Sequence, residues 1–330
     1  MMATITSTSA YELGPQNAKN IREDLGNVIF NVTPFMTPFT SGIAQTKATA
    51  DNHEWLTDTY ADSVSNNAAI EAEKVDSSEG SERTRKGNYV QIATKGVTVT
   101  KKAEMFDRAG VPGKEMAYQL MKKGKELQMD VEKQVLSNQF KVQPTNAVAG
   151  VSATVSSWIL SNQVVSGTGG VANTASTGLT KPTPGTSEAM TQANLDDLLD
   201  GVWNNSGDFS SAKIMGSAGT ISTLRNNAEV SKGISTDVTT NAADGEIINR
   251  VAVYVSQFGP IAVVPNKHMP ADTLYVLDYS TWGLAFAGGK KIHTTDIATQ
   301  ASAEQKLLEC YYTLEARSEE ANAAYYAINA

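Results

Sequence analysis

Apolar residues in this chain recur at two spacings, and the change from one to the other separates its elements. Met116, Leu120, Leu127, Val131 and Val135 return every three or four residues, while Lys122, Lys123, Lys125 and Lys133 lie largely off that stripe. Such spacing lines one face of a helix, predicted from Pro112 and Gly113 to about Phe140 and roughly 42 Å long. Pro144 follows and helps end it. Period-two alternation marks strands instead. Val97-Thr98-Val99-Thr100 belongs to a return strand running from Asn88 to about Thr100, and Trp55, Thr57 and Thr59 share one face of an outgoing strand near His53 to Tyr60. Together they predict a long polar β-hairpin whose return arm reaches roughly 40 Å. Two strands alone are marginally stable in water, so an arm of this kind gains stability by lying on another surface.

The second half alternates between the two spacings. A helix is predicted from Ser187, with Leu195, Leu198, Leu199, Val202 and Trp203 on one side and Asp196, Asp197 and Asp200 on the other. After it come a strand near Lys213 to Met215, a helix near Ala218 to Asn227 and a polar link through Asp244-Gly245. Strands follow at Arg250 to Val255, Pro260 to Val264, Asp272 to Asp278 and Trp282 to Phe286, with two more at Leu307 to Ala316 and Ala323 to Ile328. Helices mixed with largely antiparallel strands predict an α+β fold.

Two stretches lack either period. Residues 1–44 read as an extended arm, since Pro34 and Pro38 each remove a backbone donor while Phe30, Phe35, Met36, Phe39 and Ile43 supply apolar anchors. Between Lys141 and Lys181 there is no charged residue. Val155 to Leu160 reads as a short strand or helix, and SGTGGVANTASTG is loop chemistry. A stretch so long without regular structure is expected to lie in contacts between subunits.

Composition narrows the function classes. At 330 residues the chain exceeds the usual single domain, and 41% hydrophobic residues suffice for a core, whereas only 19% are charged. A net charge of −8 argues against a surface built to grip nucleic acid. One cysteine, Cys310, excludes an intrachain disulfide, and its apolar setting predicts a buried packing thiol. No apolar run approaches a membrane span, and MMATITSTSAYELG has neither the basic start nor the apolar centre of a secretory signal.

Catalytic patterns are absent from the sequence. His53, His268 and His293 share no ligand spacing, Gly288-Gly289-Lys290-Lys291 lacks the hydroxyl and spacing of a phosphate loop, and Gly216-Ser217-Ala218-Gly219 is one residue short of a nucleophile elbow. That last piece is predicted as a strand-to-helix turn with a capping hydroxyl. No cofactor, metal or small-molecule substrate is expected, and no enzyme activity.

The segment Arg83-x-Arg85-x-Gly87-Asn88-Tyr89-x-Gln91-Ile92 resembles the signature of tailed-phage major capsid proteins with the Hong Kong 97-type fold. Similar marks are TPFMTPFTSGI from Thr33, Glu54-Trp55 with Asp58, and the run from Glu304 to Asn329. The resemblance implies an N-terminal arm (1–44), an extended hairpin (45–102), a peripheral domain with a long spine helix (103–142), an axial domain (143–290), and strands (291–330) returning to the peripheral sheet. It implies a head protein that self-assembles into hexamers and pentamers around double-stranded DNA held without sequence preference. Portal and scaffolding proteins are the implied partners, and the virion, assembled in the host bacterial cytoplasm, the location. Arg83, Arg85 and Lys86, facing the acidic Glu71, Glu73, Asp76 and Glu79, suit contacts between identical copies. With Asn88, Trp55, Phe35 and Phe39 they form the expected subunit-contact set. A secreted adhesin would match the Ser/Thr/Asn richness but not the absence of a signal or repeats, and an encapsulin-like compartment is the alternative within the same fold.

Overall fold

The computed structural model describes residues 36–61, 63–72, 80, 82–106, 113–205, 209–226, 234–236, 251–298 and 301–329. Its strands fall into two main sheets and a short hairpin. Five strands form the first sheet: β1 (Ala44–Ala48), β4 (Gln91–Thr100), β11 (Trp282–Ala287), β12 (His293–Ile297) and β13 (Ala303–Ala316). At 14 residues β13 is the spine of this sheet, pairing antiparallel with β4, β11 and β12. Seven strands form the second, in the order β5 (Gln163–Val165), β14 (Ala323–Tyr326), β10 (Leu274–Asp278), β6 (Ala212–Gly216), β9 (Gly259–Pro265), β8 (Val251–Ser256) and β7 (Ile234–Thr236).

The long helix α2 (Glu115–Leu136) packs over the first sheet and buries Met116, Leu127, Val131 and Val135 of the predicted stripe, with Leu136 beside them and Leu120 partly buried. Each such side chain contributes roughly 1.5–3 kcal/mol on burial. The helix has 22 residues, about 33 Å, and stops short of the expected Phe140. Ser137 leaves the helical conformation with ψ 176°, and its hydroxyl donates back to the Gln134 carbonyl at 2.7 Å. At the other end the carboxylate of Glu104, on the short α1 (Lys101–Met105), accepts from the Met116 amide at 2.7 Å. A carboxylate supplied from elsewhere thus does the work of a local N-cap.

The second sheet lies between two cores. In β10, Tyr275 and Leu277 join the core beneath α2, whereas Leu274 and Val276 join the core under helix α4 (Gln192–Asn205). β14 alternates in the same way, with Ala324 and Tyr326 on one side and Ala323 and Tyr325 on the other. Strands covered on both faces read as continuous apolar runs, as DTLYVLD does. α4 begins later than the expected Ser187, with the Thr191 hydroxyl accepting from the Asn194 amide at 3.3 Å. Ser217 caps α5 (Ala218–Asn226) by accepting from the Thr220 amide at 3.2 Å, as the small-residue turn predicted. The link at Asp244-Gly245 and Arg250 lie outside the described residues.

Three expectations are corrected. The return strand divides at Val90, whose amide donates to the Asp51 carbonyl at 2.8 Å. Only β3 (Thr84–Tyr89) pairs with β2 (Asn52–Thr57), so the paired hairpin is six residues long and β4 belongs to the body. β11, expected in the axial domain, joins the first sheet, and β14, expected under the long helix, joins the second. The charge-free stretch is more ordered than a structureless loop. Its one-turn helix α3 (Val155–Trp158) is wholly buried, and Asn173 donates to the carbonyls of Ser157 and Ile159, both at 3.0 Å, while Gln163 closes on Asn173 through two bonds of 2.8 Å. Uncharged side chains satisfy buried backbone there in place of a ladder. Gly167, at φ 82°, is required within it, since a Cβ would stand 1.8 Å from the Thr186 carbonyl oxygen.

Candidate subunit-contact surface

Side chains at the base of the hairpin are tied into the body. Trp55 is buried, its indole N–H donating to the Ala316 carbonyl at 2.8 Å and its ring 5.3 Å from that of Trp158. Asn88 is fully buried and donates to the carbonyls of Leu314 (2.8 Å) and Ala153 (3.3 Å) and to the Ser152 hydroxyl (3.1 Å). Its own oxygen accepts from the Ala153 amide at 2.8 Å. Lys141 donates to the Gly87 carbonyl at 2.6 Å, and burial lowers its pKa against the opposing pull of Glu54. Lys86 turns inward as well, 3.4 Å from the Ser176 hydroxyl.

The outer part carries charge and apolar surface. Arg85 pairs with Glu54 across the two strands, and Arg83 reaches Asp58 at 3.7 Å. Both guanidinium groups are mostly exposed, so these pairs contribute only ~0–1 kcal/mol to the fold. Leu56 is 62% exposed, Tyr60 fully so, and Val64 and Ile70 also stand largely in solvent. Exposed large apolar side chains that recur along one excursion of the chain are candidates for a contact surface.

The expected contact set therefore splits. Phe39, fully buried, packs edge-on against Tyr279 and Trp282, so Phe39, Trp55 and Asn88 serve the subunit's own core and are withdrawn from the outer surface. Arg83 and Arg85 remain on it, paired with Glu54 and Asp58, with Glu71 exposed nearby in the chain. Phe35 and Glu73 lie outside the described residues. Leu56, Tyr60, Val64 and Ile70 were overlooked in the sequence, where isolated apolar residues in a polar excursion were the available signal.

Among the described residues no three His, Cys, Asp or Glu side chains gather as a metal site. His53 lies 3.7 Å from Glu315. Burial pushes the Cys310 thiol up to about 12, so it is protonated at neutral pH. We expect iodoacetamide at pH 8 to alkylate Cys310 readily in urea and at least about a hundredfold more slowly in the native protein, by mass spectrometry, because only the thiolate reacts. Equal rates would contradict this burial. The raised pKa contributes stability that is complete below the ordinary thiol value and is lost as pH rises towards 12.

A long helix across one sheet, a second sheet between two cores and a separate two-stranded hairpin define the Hong Kong 97-type capsid fold. The Cyanophage A-1(L) capsid subunit superposes with a TM-score of 0.60 at 11% identity, covering 99% of this chain and 100% of that one. The SrpI encapsulin of Synechococcus elongatus PCC 7942 gives 0.53 at 11% identity, with 96% of each chain covered. At such identities these likenesses show the fold alone. The chain belongs to the SU10 major capsid protein family, which it matches over residues 4–329. It is also 35% identical over 138 residues to the major capsid protein of Escherichia phage Phieco32, a match that spans 42% of this chain and 38% of that relative's length.

Proposed function

We propose that this chain is the shell-forming subunit of a tailed-phage head, joining copies of itself as hexamers and pentamers of an icosahedral container for double-stranded DNA. The lobe with α2 serves as the peripheral domain and the seven-stranded lobe as the axial domain. The observation that carries the reading is the hairpin, rigidly anchored at Trp55 and Asn88 yet presenting Leu56, Tyr60, Arg83 and Arg85 outward. The net charge of −8 suits a lining that holds DNA without gripping it. Portal and scaffolding proteins are the further partners, with assembly in the host bacterial cytoplasm. An encapsulin shares the fold, but the family match over residues 4–329 favours the phage head.

Negative-stain microscopy of the overexpressed chain tests this reading, and closed shells are the expected result. Wild-type protein that stays monomeric at high concentration would overturn it. Replacing Arg83 and Arg85 with Glu is expected to leave the circular dichroism spectrum unchanged and to cut shell yield at least about tenfold, since like charges brought together across an interface cost several kcal/mol. Normal shell yield from that double variant would remove the hairpin from the contact.

A further inference from the structure

One stripe of α2 is covered at its end and open along most of its length. Lys114, Tyr118, Met121, Lys125, Gln128 and Glu132 follow at alternating four- and three-residue steps, so they line a single side of the helix, away from the buried Leu127 and Val131. Towards the end of the helix the stripe is occupied, since Glu132 is fully buried and accepts from the Phe39 and Thr40 amides at 2.9 and 2.8 Å. From Lys114 to Lys125 it opens to solvent, with Met121 56% exposed. Helix α1 meets α2 at this open end, where Glu104 accepts from the Met116 amide, and the next two residues, Met105 and Phe106, are largely exposed. Lys123 pairs with Glu126 and Lys95 with Asp130, both at 2.7 Å, whereas Lys114, Lys122 and Lys125 are exposed and form no ion pair among the described residues.

We infer that this open face of α2 is the docking site for an acidic amphipathic helix of a second protein, a partner other than a copy of this chain. Exposed methionine and phenylalanine side chains call for apolar residues opposite them, and methionine adapts to varied ones. Cations that no neighbouring carboxylate offsets call for Glu or Asp beside those residues. A straight stripe at three- and four-residue steps is the shape that another helix meets with its own apolar residues at the same spacing. The open stretch from Lys114 to Lys125 runs about 17 Å, so roughly three turns of the partner fit. Duplex DNA is the poorer fit, because its phosphates would use the lysines and leave Met105, Phe106 and Met121 in water. The acidic helix of this chain, α4, already buries its apolar side, Leu195, Leu198 and Val202, in its own core, so a copy does not supply the occupant. The inference goes beyond the shell reading and does not depend on it.

The probes are a fluorescent synthetic helix, with leucine at three- and four-residue steps and glutamate elsewhere, and a twin with glutamine in place of each glutamate. The glutamate peptide is expected to bind the full chain by fluorescence anisotropy, and the double variant Lys122→Glu, Lys125→Glu to weaken that binding at least about tenfold with an unchanged circular dichroism spectrum. The glutamine twin, on the wild-type chain, is expected to bind at least about tenfold more weakly, and decides the matter should the double variant lose its native spectrum. Equal binding of the two peptides, binding of neither at millimolar concentration, or full binding by a native double variant would overturn the proposal. A photo-cross-linking residue in place of Met121 is expected to join the glutamate peptide. An adduct within the chain or with another copy, or retardation of duplex DNA that the double variant loses, would equally overturn it and assign the face to that occupant. Closed shells from the chain alone remain the separate test of the shell reading.

Discussion

Glu132→Ala is expected to destabilise the subunit by about 3–5 kcal/mol in urea unfolding. Glu132 is fully buried on α2, and three donors from two distant segments converge on its carboxylate. Oε1 accepts from the Phe39 amide at 2.9 Å and the Asn266 side-chain amide at 2.7 Å, and Oε2 accepts from the Thr40 amide at 2.8 Å. The Phe39 and Thr40 amides belong to a helical turn, closed where Ser41 donates to the Thr37 carbonyl at 3.1 Å and Ile43 to that of Phe39 at 3.2 Å. A carboxylate at the start of a turn satisfies donors the turn cannot. Alanine leaves those donors without partners and adds a cavity, each orphaned donor costing about 1–3 kcal/mol against a total stability of only ~5–15 kcal/mol. Glu132→Gln keeps one acceptor and places an amide N–H against a donor, so it should fall between the two. A loss below about 1 kcal/mol for the alanine variant would show that the carboxylate does not hold the turn to the helix.

Asn88→Asp is expected to prevent folding, and Asn88→Ala to cost about 2–4 kcal/mol. The Asn88 amide nitrogen faces two carbonyls and a hydroxyl, and its oxygen faces one amide. A carboxylate retains the last contact but turns negative charge on the Leu314 and Ala153 carbonyls in a fully buried site, and no cation is among its hydrogen-bond partners. Alanine loses all four bonds, although the Ser152 hydroxyl also donates to the Ala153 carbonyl at 3.4 Å and softens the loss. Expression, solubility and thermal unfolding of the two variants check the order. Soluble Asn88→Asp protein with a near-native melting temperature would place Asn88 on the surface after all.

Local features were legible in the residues. The apolar stripe of α2, the cap at Ser217, the buried setting of Cys310 and the strands at β6, β8, β9, β10 and β13 each follow from a spacing or a residue type within one short segment. Asn88 was visible as part of a motif, yet its role was read outward because an asparagine beside Arg85 and Lys86 looks like surface. Glu132 was not visible at all. It is adjacent to Val131 on the flank of the apolar stripe, where a carboxylate is ordinarily solvated, and the turn at Phe39, 93 residues away in sequence, meets it together with the Asn266 side chain.

Sequence by itself determined where the chain is helical, where it is extended, which residues are apolar enough to be buried, and the motif that marks its family. Tertiary structure alone decided that β4 pairs with β13 rather than with β2, that β14 leaves the sheet of its neighbour β13, and that Glu132 and Asn88 face inward. Periodicity is a property of neighbouring residues, so one segment can display it. The partner of a strand or of a buried polar group is chosen by segments far apart in sequence, 261 residues for Trp55 and Ala316, and no local pattern encodes that choice.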